Sequence, residues 1–108
     1  NYLSNSGRDL IYEYINSLPE AEKIDGYTVL QHMEKGEFDK ILFKRWEKKV
    51  YEVYFQKNNR VFYITVDKEN IYLLHSCRKQ KNKTEKKDAN IVRKRAKELG
   101  NMLGRKFI

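Results

Sequence analysis

The spacing of apolar residues changes near Lys40, and this change does most to limit what the chain can fold into. Before it, two apolar stripes recur every three or four positions, as on one face of an α-helix. The stripes are Leu10, Ile11, Tyr14, Ile15 and Leu18, then Ile24, Tyr27, Leu30 and Met33. After it come short runs of β-branched and aromatic residues, typical of strands, at 41–43, 50–55, 60–66 and 71–78. We therefore predict two helices followed by an antiparallel β-meander of three to four strands.

A third helical stripe closes the chain. Its members are Ala89, Val92, Ala96, Leu99 and Leu103. Thr84 is predicted to cap this C-terminal helix, with Glu85 and Asp88 in its first turn. The order of elements indicates an α+β fold with its helices against one face of the sheet. A chain of 108 residues suits one domain, so residues 1–108 are assigned to a single domain.

The positive charge is concentrated in one stretch of the sequence. The chain has 23 Lys and Arg against 15 Asp and Glu, a net charge of +8. Residues 78–97 alone contain ten cations and two acids, which accounts for the whole excess and leaves the remainder neutral. A local field of this kind attracts phosphates, so the sequence predicts binding to nucleic acid or to an acidic protein segment.

Several kinds of site find no support in the sequence. His32 and His75 lie far apart in the sequence, and we find no cysteine or carboxylate at ligand spacing from either. We therefore expect no metal and no cofactor. A phosphate-binding glycine loop and a nucleophile elbow are not found either. The single Cys77 fits a reducing, cytoplasmic location, and the apolar runs are too short to span a membrane.

The residues left to carry chemistry lie on the predicted sheet. Successive side chains of a strand point to opposite faces, so Glu52 and Tyr54 share a face that Val53 does not. An open face beside the basic helix is expected to present Glu52, Tyr54, Arg60, His75, Arg78 and Lys79. Groups of these types can hold an RNA phosphate and transfer protons without a metal.

Three stretches of the chain, 51–54, 60–63 and 73–84, resemble a known family. They read YEVY, RVFY and LLHSCRKQKNKT, and they are similar to the HigB-like, phage Gp49-like branch of the RelE/ParE toxins. Relatives commonly show YELR, an arginine opening the next strand, LLHGFxKKTQKTP and a final helix rich in Lys and Arg. The departures are Tyr54 for the arginine, Cys77 for an aromatic residue, Gln80 for the second lysine and Glu85 for a proline.

The resemblance implies a RelE-like fold and an endoribonuclease that cleaves mRNA, often on the ribosome. Its N-terminal strand would here be Tyr2–Ser4. The implied reaction is attack of a ribose 2′-hydroxyl on the adjacent phosphate. The assigned catalytic roles are charge stabilisation by Arg60, Arg78 and Lys79, proton transfer by His75 or Glu52, and base stacking or phosphate donation by Tyr54.

The same resemblance implies the partners of a type II toxin–antitoxin system. The cognate antitoxin would be a HigA-like, helix-turn-helix DNA-binding protein, and operator DNA would be met only through that complex. The residues predicted to bind RNA are Lys48, Lys49, Lys81, Lys83, Lys86, Lys87 and Arg93. Two alternatives stay open: a ParE-like toxin that inhibits DNA gyrase without hydrolysis, and a non-catalytic nucleic-acid module.

Overall fold

The computed structural model describes residues 6–79 and 84–108, with side chains from residue 9 onward. The helices are α1 (Ser6–Asn16), α2 (Glu20–Glu34) and α3 (Lys86–Leu103), and a short 3-10 helix spans Phe38–Lys40. The strands are β1 (Leu42–Glu47), β2 (Val50–Phe55), β3 (Asn59–Thr65) and β4 (Ile71–Arg78). The α+β class, the two N-terminal helices, the meander and the C-terminal helix are confirmed. The strand expected at Tyr2–Ser4 lies outside the described residues, and the single domain stays a prediction.

The four strands form one antiparallel sheet in the order β1-β2-β3-β4. Two residues interrupt the pairing. The β1–β2 register passes over Trp46, and the β3–β4 register passes over Leu74. An extra residue of this kind is a β-bulge, which turns the following side chains relative to simple alternation. Both bulges affect which residues face α3.

One face of the sheet packs against α1 and α2. Its buried core contains Ile11, Ile15, Val29, Leu30, Met33, Val53, Phe55, Val61, Tyr63, Ile71 and Leu73. Gly26 lets α2 come this close, because a Cβ there would lie 3.1 Å from both Ile15 and Phe55 side-chain atoms. The glycine that is unfavourable for an isolated helix is thus required by the packing of this one.

The other face packs against α3, so the prediction of helices on one face only was wrong. The second core contains Val50, Phe62, Ile64, Leu74, Cys77, Val92, Ala96, Leu99 and Phe107. Val61 and Phe62 are neighbours on β3 and both are 0% exposed, although they point to opposite faces. A strand with both faces apolar gains most free energy when both are covered, which a helix on each side achieves.

The start of α3 also differs from the prediction. The N-cap is Glu85, which makes no capping hydrogen bond through its side chain, and Lys86 is the first helical residue. Thr84 lies one position too early to cap, and its hydroxyl is buried without a hydrogen-bond partner among the described residues. At the other end, Gly104 adopts φ +66 and the Arg105 N–H donates to the Gly100 carbonyl at 2.9 Å. None of the described helices has the length and apolar character needed to cross a membrane.

Candidate active site

A buried carboxylate lies at the centre of the α3 side of the sheet. Glu52 is 0% exposed, and its Oε1 lies 2.6 Å from Lys79 Nζ and 3.2 Å from Arg60 Nε. Arg60 and Lys79 are only 7% and 5% exposed. Neither oxygen of Glu52 makes a hydrogen bond of good geometry with a described residue, so the two cations hold it mainly by charge. We call Glu52, Arg60 and Lys79 the buried charge cluster.

The buried charge cluster has one more positive charge than negative. Such an excess inside a protein is costly unless an anion completes it, and a phosphate oxygen is an anion of the right kind. Both cations lie against Oε1 of Glu52, and its Oε2 atom has no hydrogen-bond partner among the described residues. The cluster can thus offer both positive charge and a base.

Tyr54 belongs beside this cluster. It pairs with Arg60 in the β2–β3 register, and the Arg60 guanidinium lies 4.7 Å from the centre of its ring. Arg60 also donates from Nη1 to the carbonyl of Asn59 at 3.1 Å. The stack and the hydrogen bond fix the direction of the guanidinium, whose Nε lies toward Glu52. The structure therefore brings together four of the six predicted catalytic residues.

His75 is attached to α3 instead. The bulge at Leu74 places it on the α3 side, where Nε2 lies 2.8 Å from Asp88 Oδ1 and Nδ1 lies 3.5 Å from Arg95 Nη1. An arginine can only donate, so this arrangement suits a neutral ring whose Nε2–H donates to Asp88. The ring also stacks on Phe62. These contacts give His75 a role in joining β4 to α3, and its part in proton transfer stays a prediction.

His75 has potential metal ligands close by, contrary to the expectation from spacing. Donor atoms of His75, Cys77 and Asp88 all lie within 4.8 Å of one another. The bulge puts His75 and Cys77 on one face, and α3 supplies Asp88 from 13 residues further along the chain. Burial, followed by the charge of Asp88, raises the pKa of the Cys77 thiol to about 12. Within this group, the hydrogen bond between His75 and Asp88 joins β4 to α3.

Arg78 lies on the other side of the sheet from Lys79. Its Nη2 is 2.6 Å from Glu22 Oε1 on α2, and its Nη1 donates to the Lys57 carbonyl at 2.9 Å. The hydrogen bond from Asn59, followed by those of Arg78, holds the pKa of Glu22 below its usual range. Arg78 thus fastens β4 to α2 and to the β2–β3 turn. The structure does not bring it to the buried charge cluster.

A groove runs between β1 and α3 above the cluster. Glu52 and Lys79 line its floor, and its volume is about 380 Å³. The remaining lining residues are Lys44, Arg45, Trp46, Thr84, Ala89 and Arg93. We call this space the β1–α3 groove. Of its walls, only Arg93 was among the residues predicted to bind RNA.

The other predicted RNA-binding residues lie at the two ends of α3. Lys86 and Lys87 are exposed in its first turn. Lys48 and Lys49 are exposed in the β1–β2 turn, where the Lys49 N–H donates to the Phe107 carbonyl beyond the end of α3. Lys81 and Lys83 lie outside the described residues. Lys44, Arg45 and Trp46 were missed, although three large polar or aromatic residues in a row on an edge strand were a usable signal.

Replacing Lys86 and Lys87 together with glutamine is expected to flatten the salt dependence of binding to single-stranded RNA. Each lysine that neutralises a phosphate contributes roughly 0.7 to the slope of log K against log salt concentration. RNA titrations at several salt concentrations measure this slope directly.

The matched control is the pair Lys35 and Lys68, which are equally exposed but lie at the α2 end and the β3–β4 turn. Glutamine at these two positions should leave the slope as it is in the wild type. If both double variants change the slope equally, RNA does not track α3.

The fold and the cluster first define the class of protein. It is a small α+β protein with a basic helix across its sheet and buried cations that suit an anionic partner. The family model described as Phage derived protein Gp49-like (DUF891) matches residues 13–97, and the chain belongs to this family. The matched range contains the whole buried charge cluster. The family is associated with HigB-like toxins, so the chain is a relative of the toxins of toxin–antitoxin pairs.

The same match confirms the resemblance read from the three sequence stretches. No curated protein matches the chain closely enough to add a named relative.

Proposed function

We propose that this protein is the toxin of a type II toxin–antitoxin pair and acts as an endoribonuclease on mRNA in the cytoplasm. The observation that carries the proposal is the buried charge cluster, in which Lys79 and Arg60 converge on Glu52 at the floor of a cationic groove. A structural ion pair needs one cation for one carboxylate. Among the described carboxylates, only Glu52 lies within ion-pair distance of Arg60 or Lys79, so a phosphate can supply a second anionic partner.

In the proposed reaction the RNA supplies its own nucleophile. The ribose 2′-hydroxyl attacks the adjacent phosphorus, the bond to the 5′-oxygen breaks, and a 2′,3′-cyclic phosphate and a free 5′-hydroxyl result. Lys79 and Arg60 stabilise the negative charge that builds on the phosphorane oxygens. The base takes the proton of the 2′-hydroxyl, and an acid returns one to the leaving oxygen.

Glu52 is the stronger candidate for the base. Its Oε2 is buried but makes no hydrogen bond to a described residue, whereas Nε2 of His75 is occupied by Asp88 and Nδ1 faces Arg95. The cations beside Glu52 are the same groups that a phosphate would meet. Phosphate reaches them through the β1–α3 groove, which is where Glu52 and Lys79 come nearest to the surface.

Arg60 takes over from the arginine that relatives carry at the position of Tyr54. The two residues are partners on neighbouring strands, and the Arg60 guanidinium stacks on the Tyr54 ring. The cation is therefore still available on this face of the sheet. Loss of the arginine at position 54 would favour the ParE-like alternative, and the nearby Arg60 guanidinium therefore supports RNA cleavage instead.

A free toxin needs a neutralising partner. We infer that the partner is a HigA-like antitoxin with a helix-turn-helix DNA-binding domain, through which the complex meets operator DNA. The surface of α3 is its natural target, because it carries exposed Lys86, Lys87 and Arg93 beside the groove. An antitoxin bound there would block RNA and neutralise the charge together.

The test is to incubate the purified protein with mRNA, with and without ribosomes. We expect cleavage fragments in at least the ribosome-containing reaction, and suppression of cleavage by the antitoxin. RNA that stays intact in both reactions, together with inhibition of gyrase supercoiling, would establish the ParE-like function instead. RNA binding with neither activity would leave a non-catalytic module.

A further inference from the structure

Trp46 is the only tryptophan of the chain and stands on the wall of the β1–α3 groove. It is the bulged residue of β1, which turns its ring to the α3 side. One contact, edge-to-face with Phe62 at 5.3 Å between ring centres, anchors it to the core. The ring is half-buried, and the groove side of it is closed by an arginine.

That arginine is Arg93 of α3, whose guanidinium lies 5.2 Å from the centre of the indole. Arg93 donates from Nε and Nη2 to the two carboxylate oxygens of Glu47 at 2.9 and 3.0 Å. The side chains of Arg93 and Glu47 are 46% and 34% exposed. A planar guanidinium over an indole occupies the space that a planar nucleobase would take.

The exposed ion pair is weak compared with what can replace it. Most ion pairs in contact with water stabilise little, because the solvent screens both charges; this one is bidentate and so stronger than most, but it is still exposed to that screening. Stacking of a base on an aromatic side chain stabilises more, and an arginine released from Glu47 gains a phosphate in exchange for a carboxylate. The exchange therefore favours a bound nucleotide over the closed pair.

We propose that the β1–α3 groove binds one unpaired nucleotide, with its base stacked on Trp46 in the place of the Arg93 guanidinium. Arg93 leaves Glu47 and binds a phosphate of the same strand. This inference rests on the proposed function, since it takes RNA as the substrate. It adds a site that holds the RNA strand beside the buried charge cluster. Lys44, which is the register partner of Glu52, lies two residues before Trp46, so the base site is one diagonal step across the β1–β2 pair from the cluster.

The site is specific for single strands. A base can stack on a side chain only when its own neighbours do not already cover it, and bases inside a duplex are covered on both faces. The proposal therefore gives the substrate class as unpaired RNA, in which one base per cleavage event is withdrawn from its stack.

Because the chain has one tryptophan, its fluorescence reports the site directly. The probe is a single-stranded RNA oligonucleotide with 2′-O-methyl groups throughout, which the 2′-hydroxyl mechanism cannot cleave. We expect it to quench the emission of the wild-type protein on titration. Duplex RNA of the same sequence and a poly-glutamate peptide should quench little, and equal quenching by either would overturn the proposal.

Substitutions at the ring test the stacking itself. Trp46→Leu is expected to lose roughly 5- to 100-fold in affinity for the single strand, and Trp46→Phe to recover much of that loss. The matched control is Phe43→Leu, because Phe43 is an exposed aromatic residue on the same strand that packs against Phe38 and Tyr51 on the opposite face. Wild-type affinity in Trp46→Leu would overturn the proposal.

A third variant keeps the indole and its packing intact. Glu47→Gln frees Arg93 and should tighten RNA binding by up to about fivefold, whereas Glu34→Gln, an equally simple loss of an exposed acid on α2, should not. Equal effects of the two would overturn the exchange. Cleavage assayed in parallel separates the two proposals, since cleavage without quenching refutes only this site, and quenching without cleavage refutes only the catalytic function.

Discussion

A single 2′-deoxyribose placed just 5′ of the scissile phosphate is expected to abolish cleavage of an RNA strand that the protein still binds normally. The 2′-hydroxyl is the proposed nucleophile, and it is effective because it is already held beside its phosphorus and needs only alignment and a base. The site of cleavage is mapped first on the all-ribose strand, and the deoxy substitution is then made at that nucleotide. Products are identified by their ends, which should be a 2′,3′-cyclic phosphate or 3′-phosphate and a 5′-hydroxyl.

The matched control is the same deoxy substitution two nucleotides away, which should leave the rate unchanged. Cleavage of the all-ribose strand is expected to persist in EDTA, because the proposed steps use side chains and no metal. The His75–Cys77–Asp88 group makes this a real test, since it is the one set of described residues with metal-ligand donors close together. A 5′-phosphate product, or loss of activity in EDTA, would point to water activated by a metal instead.

Replacing Lys79 with methionine is expected to lower the rate of cleavage by roughly 10²–10³ while RNA affinity falls much less. A cation aimed at charge that develops during the reaction stabilises the transition state more than the bound substrate, and one such group contributes about that factor. Methionine keeps much of the length of the lysine side chain and removes its charge. Single-turnover rates and equilibrium binding, measured on the same RNA, separate the two effects.

Stability must be controlled in this experiment, because Lys79 lies 2.6 Å from the buried Glu52. Removing one partner of a buried ion pair typically costs about 3–5 kcal/mol. In Lys79→Met, Glu52 keeps Arg60 as its partner at 3.2 Å, so one charge of each sign remains and the loss should be smaller than that; thermal unfolding of the variant measures it. Lys35→Met, at an exposed position on the far side, serves as the matched single variant. Equal losses of rate and affinity would make Lys79 a simple phosphate contact.

The fold class could be predicted because local patterns decide it. Helical stripes and β-rich runs are read within windows of about 10 residues, and α1, α2, α3 and β2 to β4 fall where these patterns place them. The strand β1 runs to Glu47, four residues beyond the predicted run 41–43, and the 3-10 helix was not predicted. The face on which α3 packs depends on contacts between distant parts of the chain. Even so, the four consecutive apolar residues 61–64 of β3 were a sign that both faces of the sheet are covered.

The candidate site was predictable only where simple alternation holds. Glu52 and Arg60 lie in regular parts of the sheet, and their shared face follows from counting residues. At Leu74 and Trp46 a bulge breaks the count, so the surroundings of His75 and the presence of Trp46 in the groove were not foreseen. Arg78 and Lys79 are adjacent in sequence and point to opposite faces of the sheet, so Arg78 pairs with Glu22 on α2 and Lys79 with Glu52 on β2.

The buried thiol of Cys77 reports how often α3 moves away from the sheet. The thiol is covered by the core between the sheet and that helix, and its raised pKa keeps it protonated and unreactive at neutral pH. Modification by an alkylating reagent must therefore wait until the helix lifts. The rate at which Cys77 is alkylated therefore measures how often this face of the sheet is uncovered. A partner that binds α3 and holds it against the sheet would lower that rate.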